Sequence, residues 1–381
     1  MDQSGQATLQ LSQIKKLGKQ IIHICSDYSR QRLYPKLARA LFEGLGLDQV
    51  WFVPVRTQSE IGFGKDPKNR FHVVQILILR RIHRWFYHRK LAVVLNALKA
   101  HVPLDNASLV HAHFLFSDGG VAYHLKKETG LRYVVSVRNT DINLFFKYAF
   151  HLRGFIRRVL REAESIVLIN PSYENKLKNQ LGSKLYDELS PKMMTIPNLL
   201  DQRWFKQEPK TKPSRQTQLV YVGDNTPNKR FSILLDILAV LPSSFSLSYI
   251  GITSDDVEIP SDLLPRVTVL GRIEKQEELI EILDRHDIFM LPSKHETFGM
   301  AAAEAMARRL PVIVSKGEGL SGFLNGPLST CAVNYESIFE VREVVMEIAA
   351  NFEQYSELTF ETAQTFSHNA VLTEYSKLYQ T

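Results

Sequence analysis

Cysteine is almost missing from this chain: 381 residues hold two, Cys25 and Cys331. That number excludes a disulfide framework and a cysteine-based zinc cluster. Both sit in short apolar runs, as small buried hydrophobes of a reducing compartment would. Long apolar runs are missing too. The longest candidate, "VVQILIL" at 73–79, falls far below the roughly 20 residues that a membrane span needs. The opening stretch "MDQSGQATLQLSQIKKLGKQ" is polar and has no apolar segment of the signal-peptide kind. We therefore expect a cytoplasmic protein without a signal peptide or a membrane-spanning helix. Solenoid-length repeats, low-complexity tracts and nucleic-acid-binding motifs are absent as well, so nucleic acid is not an expected partner.

What is present is enough apolar material for two cores: 381 residues that are 44% hydrophobic exceed what one hydrophobic core usually supports. Charge divides along the same line. Residues 1–200 carry 30 Lys/Arg against 15 Asp/Glu, a net +15, whereas residues 201–381 carry 17 against 25, a net −8. Between the halves, "KQEPKTKPSRQTQ" at 206–218 has two prolines, several charges and no apolar periodicity, which marks a linker. Strand-like runs occur at 20–26, 50–55, 108–113, 133–137, 165–170 and 193–198, then at 218–223, 247–251, 267–271, 287–292, 311–315 and 331–334. Such continuous apolar strands separated by helix-length segments predict parallel sheets covered on both faces. The fold class is α/β, with two doubly wound, Rossmann-like domains. In that architecture ligands bind at the carboxyl ends of the strands, here expected along one cleft between the domains.

The stretch "KHETFGMAAAEAMARRLPVIVS", Lys294 to Ser315, has the most chemistry in it. It reads as a strand-to-helix turn with Glu296 in the loop and Glu304 in the first turns of an alanine-rich helix. Small side chains let that helix pack close to a sheet and let a ligand approach its start. The N–H groups of Phe298, Gly299 and Met300 would face phosphate or sugar oxygens there. Taken alone, the pattern fits a second reading as well as a ligand site, with Glu296 a helix-start carboxylate favoured by the dipole and Glu304 a solvated helix residue.

Four motifs in order favour the ligand reading. This stretch resembles the Glu-x7-Glu signature of retaining GT-B glycosyltransferases of family 4, the glycosyl transferases group 1. "YVGDNTPNKRF" with Gly223 and Lys229, "VTVLGRIEKQEELIEILDRHDIFMLPS", and "TIPNLLDQRWF" fall in the family's sequence. The resemblance is strongest over 193–325, weaker over 105–200, and limited to strand pattern in the first hundred residues. It implies a first, acceptor-binding domain over 1–205, the linker 206–218, a nucleotide-sugar-binding domain over 219–365, and a last helix over 366–381 that crosses back. It assigns Glu296 to donor-sugar hydroxyls and Glu304 to ribose hydroxyls, each a carboxylate accepting strong O–H bonds. Lys229 would neutralise the leaving diphosphate. The family commonly has Gly-Arg where this chain has Gly223 and Asp224, so Arg230, Arg272 or a cation of the first domain would supply the second phosphate contact. In place of the family's first-loop glycine pair stand Ser29, Arg30, Gln31 and Arg32, a second source of phosphate contacts.

In the first half, His111 and His113 of "HAHFLFSDGG" alternate along a strand and so share one face. A metal site would need a third ligand, and no neighbour in sequence provides one; the family's metal-independent chemistry agrees. His113 is an acceptor-side candidate. Arg138 stands where the family frequently has a histidine near the donor sugar, and Asp141 would bind an acceptor hydroxyl or hold Arg138 in place. An ion pair that orders a loop is the alternative for those two.

Two basic-aromatic segments remain, Leu79 to Lys90 and Asn143 to Glu162. In the second, Phe146, Phe150, Ile156 and Leu160 can share one helical stripe beside Arg153, Arg157 and Arg161. The pattern fits a helix at an anionic bilayer surface and equally an ordinary core-facing helix with a solvated basic face. The expected function is thus metal-independent, retaining transfer of a sugar from a UDP- or GDP-sugar to a saccharide or lipid-linked acceptor. Assembly of bacterial surface polysaccharide at the cytoplasmic membrane face is its expected setting, and no cofactor is needed. The rival readings are a GT-B sugar-nucleotide epimerase and a binder that holds nucleotide without turnover.

Overall fold

The computed structural model describes residues 20–68, 70–206, 208–211 and 216–380. The polar opening stretch up to residue 19 and much of the expected linker, at 207 and 212–215, lie outside them. The chain divides into two compact units. One holds the residues up to Ile169, Glu174–Ile196 and the residues from Val371; the other holds Asn170–Tyr173 and Pro197–Ala370. Residues 197–205 therefore fall in the second unit, and the last helix, His368–Gln380, belongs to the first unit from Val371 onward.

The first unit is built on a seven-stranded, all-parallel sheet. Its strands are β1 (Gln20–Ile24), β2 (Gln49–Val55), β3 (His72–Leu77), β4 (Ala107–Ala112), β5 (Tyr133–Val137), β6 (Ser165–Leu168) and β7 (Met193–Thr195). The order is β3-β2-β1-β4-β5-β6-β7, so the winding reverses between β1 and β4. The second unit repeats the plan with β8 (Thr217–Val222), β9 (Phe245–Ile250), β10 (Val267–Val269), β11 (Ile288–Leu291), β12 (Val312–Ser315) and β13 (Ala332–Val333). Its order is β10-β9-β8-β11-β12-β13, with the reversal between β8 and β11. Central strands such as β2, β5, β11 and β12 are buried at every residue, as their uninterrupted apolar sequences require when helices cover both faces.

Two local expectations need correction. The run at 73–79, read only as too short for a membrane span, contributes the edge strand β3, whose ends are exposed and whose middle is half-buried. The segment 143–162 is not one amphipathic helix. Irregular helical turns over Thr140–Leu152 precede a regular helix, Arg153–Glu162, whose apolar residues Phe155, Ile156, Val159 and Leu160 are all buried. Phe146 is buried with them, whereas Phe150 projects into solvent at 70% exposure. The apolar stripe thus faces the core, and the exposed aromatics belong to the turn before it. No described helix is long and apolar enough to cross a membrane.

Candidate functional site

In an open parallel sheet the loops on either side of the reversal point splay apart and leave room for a ligand at the strands' carboxyl ends. In the second unit those loops follow β8 and β11, and they contain Lys229 and Glu296. Lys229 Nζ lies 2.8 Å from Glu296 Oε2, with both side chains about one-fifth exposed at 23% and 17%. Two charged groups from loops far apart in sequence thus meet where the fold predicts a ligand. The backbone around them is held on several sides. Asn228 brackets the β11 loop, donating through Nδ2 to His295 O at 2.8 Å and accepting from His295 N at 3.0 Å. Glu296 N donates to Glu318 Oε2 at 3.1 Å, and Glu296 O accepts from Gly319 N at 3.0 Å. The sequence reading missed Glu318, half-buried in the structure, whose signal would have been an acid between two glycines in the turn after β12.

Glycines follow the strands on one side of the reversal point. Gly223, Gly251 and Gly271 follow the three neighbouring strands β8, β9 and β10, and Gly251 N donates to Gly271 O at 2.7 Å. Gly251 has φ +95°, and a Cβ there would sit 2.3 Å from the carbonyl oxygen of Gly223. The three strand ends are therefore stripped of side chains at the site and pressed together through backbone.

The remaining donor-side candidates are placed as follows. Gly299, with φ 90° and ψ 57°, turns the chain into the helix Met300–Ala307, and Ala303 N donates back to Gly299 O at 2.9 Å. Met300 begins that helix and is half-buried; Glu304 is half-buried one turn further along. The Phe298 ring is buried against Phe323 and Phe366, so Phe298 anchors the loop while its backbone borders the helix start. Arg230 is held elsewhere: Nε donates to Pro292 O at 2.8 Å and Nη2 to Ser315 Oγ at 3.3 Å, tying the ends of β11 and β12 together. Arg272 is 84% exposed beside Glu274 at 3.8 Å.

In the first unit the reversal lies between β1 and β4, and a histidine stack fills that side of the sheet. His111 and His113 have ring centroids 4.1 Å apart, and His23 of β1 joins them with its Nδ1 3.0 Å from His113 Nε2. His23 is the third imidazole that was not apparent in the sequence, because β1 and β4 are neighbours only in the folded sheet. All three are fully buried, and burial lowers their pKa values, that of His23 to about 3. His113 stacks on His111 at 18° and on His23 at 22°, whereas His23 and His111 are tilted by 38°; Trp51 stacks on His23 at 4.1 Å. One ring nitrogen from each of the three lies within 4.8 Å of the others, close enough to hold a metal ion, but the two stacked pairs do not aim their lone pairs at one point as tetrahedral ligation requires. His111 instead bonds Ser136 Oγ at 2.9 Å and the hydroxyl of Tyr379, from the last helix, at 2.8 Å.

Arg138 is buried, donates from Nε to His113 O at 3.3 Å, and lies over the rings of Tyr34 and Phe114. Asp141 is also buried and organises the loops around it. Its carboxylate accepts from the backbone N–H groups of Arg138 at 2.9 Å, Phe116 at 3.0 Å and Leu115 at 3.1 Å. The carboxylate thus meets Arg138 through the backbone, and both of its oxygens are occupied. Burial raises its pKa to about 6 although all three donors favour the charged form. A raised acid loses stability as pH rises from its unfolded value near 4 to about 6. Asp141→Asn should remove that pH dependence. It should also destabilise the unit by about 2–4 kcal/mol, because one amide oxygen cannot serve three donors; urea denaturation at pH 5 and 7.5 measures both effects.

Comparison with known proteins bears on the second unit most directly. Residues 202–325 match the family described as Glycosyl transferases group 1. An uncharacterized glycosyltransferase of Methanocaldococcus jannaschii is 23% identical over 270 residues, 70% of this chain and 73% of that protein. A Bacillus subtilis protein provisionally assigned as the teichuronic acid biosynthesis glycosyltransferase TuaC is 24% identical over 238 residues, 61% of this chain and 59% of its own. Among solved structures, sucrose-phosphate synthase from Thermosynechococcus elongatus superposes with a TM-score of 0.70 at 18% identity, covering 95% of this chain and 98% of that one. HepE of Anabaena, solved with UDP, gives 0.67 at 13% identity over 95% and 99%. The architecture is GT-B, two parallel-sheet α/β domains. The family match and the relatives support a glycosyltransferase.

Proposed function

We propose that this chain is a retaining, metal-independent glycosyltransferase that moves a sugar from a UDP- or GDP-sugar to a saccharide or lipid-linked acceptor during surface polysaccharide assembly. The observation that carries this reading is the 2.8 Å Lys229–Glu296 pair at the reversal point of the second sheet. Before donor binds, the two charges neutralise each other. A diphosphate beside Lys229 would draw the ammonium away and free Glu296 to accept hydrogen bonds from sugar hydroxyls, while Glu304 accepts from the ribose. A lysine at the β-phosphate stabilises charge that grows as the glycosidic C–O bond breaks, which is the largest single catalytic contribution of this kind. The departing phosphate oxygen then takes the proton of the acceptor hydroxyl as the new C–O bond forms on the same face, so no side-chain base is assigned. Arg138 would supply positive charge for the sugar, as the resemblance implies. The UDP-bound neighbour supports the donor class, and the teichuronic acid relative supports the setting.

The test is product formation from a panel of UDP- and GDP-sugars with saccharide and lipid-linked acceptors, in the presence of a chelator, read by NMR of the anomeric proton. A retained configuration with undiminished rate in chelator is expected. An inverted product or loss of rate would contradict the mechanism, and isomerised sugar nucleotide from donor alone would mark an epimerase. The two glutamates should separate in binding. Glu304→Gln should weaken nucleoside diphosphate affinity, whereas Glu296→Gln should leave it unchanged and depress transfer. Equal affinities in calorimetry would contradict that division.

A further inference from the structure

Buried aromatic clusters hold the first unit together, yet several of its large apolar side chains are left in water. Trp85 is 86% exposed, Phe150 70%, Tyr148 63% and Phe86 55%. Full burial of side chains of this kind is strongly favourable, so a group of them left in solvent marks a surface that meets something apolar. They come from two segments brought to one region by the packing beneath. Phe86 precedes Tyr87, whose hydroxyl donates to Phe116 O at 2.8 Å. Phe116 in turn packs on Phe145 and Phe146 at 5.1 Å each, in the same turn as Tyr148 and Phe150. Tyr87 and His88 also contact Phe155 of the following helix. One aromatic core thus supports both projecting segments.

The polar residues among them are cations. Arg80, Arg81 and Arg89 are exposed around Trp85, and Lys147 lies over the Tyr148 ring at 5.2 Å. The segments 79–90 and 143–153 together contain no Asp or Glu. Aromatic rings mixed with unopposed cations fit a boundary that is anionic at its surface and apolar beneath; a protein partner would need acidic and apolar groups interleaved at matching positions.

We propose that the first unit docks on an anionic lipid bilayer, with the Ile82–Phe86 turn and the Leu144–Phe150 turn entering the headgroup region and the neighbouring arginines and lysine holding lipid phosphates. The element that enters is therefore a pair of irregular turns, not the basic helix Arg153–Glu162, whose apolar face is committed to the core. The inference extends the lipid-linked acceptor class of the proposed function, and its evidence is the surface chemistry of this unit alone.

The chain's three tryptophans make the test direct, because Trp51 and Trp204 are buried at 0% and 3% and only Trp85 meets solvent. Phosphatidylglycerol vesicles with brominated acyl chains should shift the emission of the full chain to shorter wavelength and quench it. Phosphatidylcholine vesicles should do neither. Exposed charges act within a Debye length of about 8 Å at physiological salt, so 0.5 M salt should reverse most of the binding. Arg80→Ser with Arg81→Ser should lower partitioning by about tenfold or more, since each cation near an anionic surface accounts for roughly fivefold. Trp85→Ser with Phe86→Ser should also weaken binding while leaving the unfolding midpoint unchanged, because both side chains are exposed. Three outcomes overturn the docking: no emission change with anionic vesicles at low salt, sedimentation with vesicles but no bromine quenching, or a self-associated form that Trp85→Ser dissolves. Stabilisation by UDP or GDP in the same preparation reads the donor site independently, so failure of the docking and failure of the donor reading are distinguishable.

Discussion

Lys229→Ala is expected to lower turnover by about 10²–10³-fold, the loss typical when one preorganised partner of a developing anion is removed. The size follows from the surroundings of the lysine. Arg230 is bonded to Pro292 O and Ser315 Oγ, and Arg272 is 84% exposed, so neither is held at the Lys229–Glu296 pair. Asp224 occupies the position where the resemblance expects a second cation. Transfer chemistry would therefore lean on Lys229 more heavily than in an enzyme with two cations there. Steady-state kinetics should show most of the loss in kcat, since the charge on the leaving phosphate grows as the bond breaks. A near-normal rate would mean that another cation moves in to hold the phosphate. Lys229→Ala also leaves Glu296 without its 2.8 Å partner, so a modest loss of stability should accompany the kinetic one.

Gly251→Ala is expected to destabilise the second unit by about 2–5 kcal/mol and to abolish nucleotide binding. Two physical terms add. At φ +95° an L-residue meets its own backbone, at a cost of roughly 1–2 kcal/mol. The added methyl would lie 2.3 Å from Gly223 O and 3.0 Å from Gly223 C, which are backbone atoms that cannot rotate away, so overpacking contributes about 1–3 kcal/mol more. Relief requires the end of β8 to move, and the loop that follows β8 contains Lys229. Gly271→Ala is the control: its φ is +68°, but nothing lies within 4 Å of the new methyl, so only the backbone term of about 1–2 kcal/mol applies. Urea denaturation of both variants measures the difference. Equal losses would show that the Gly223–Gly251 contact does not constrain the strand ends.

Much of this site was legible because its signals are local. "YVG", "YIG" and "VLG" end three strands, and an alanine-rich helix follows a Phe-Gly pair; those patterns report strand ends and a close-packed helix start without knowledge of the fold. The sheet order then brings Lys229 and Glu296 together, as parallel winding demands. What escaped depends on pairing across the sheet or on which face is covered. His23 joins His111 and His113 because β1 lies beside β4, which no spacing in sequence announces. β3 is an edge strand with a polar glutamine amid its apolar residues, so its pattern resembled a short apolar run more than a strand. Phe150 and Phe146 have the same helical spacing on paper. A break in the helix at Ala149, with ψ 48°, sends one into solvent and leaves the other in the core. Asp141 looked like an available carboxylate until the fold surrounded it with three backbone donors.

The most direct test of the donor site is calorimetric titration of UDP and GDP into the wild-type chain and into Lys229→Ala. Saturable one-to-one binding of at least one of the two nucleotides is predicted. At a hundred times its dissociation constant, that nucleotide should also stabilise the protein by about 2.7 kcal/mol, and the variant should bind markedly more weakly. The absence of binding by either nucleotide at millimolar concentration, or an affinity that Lys229→Ala leaves unchanged, would contradict the assignment of the Lys229–Glu296 pair to a nucleotide-sugar site.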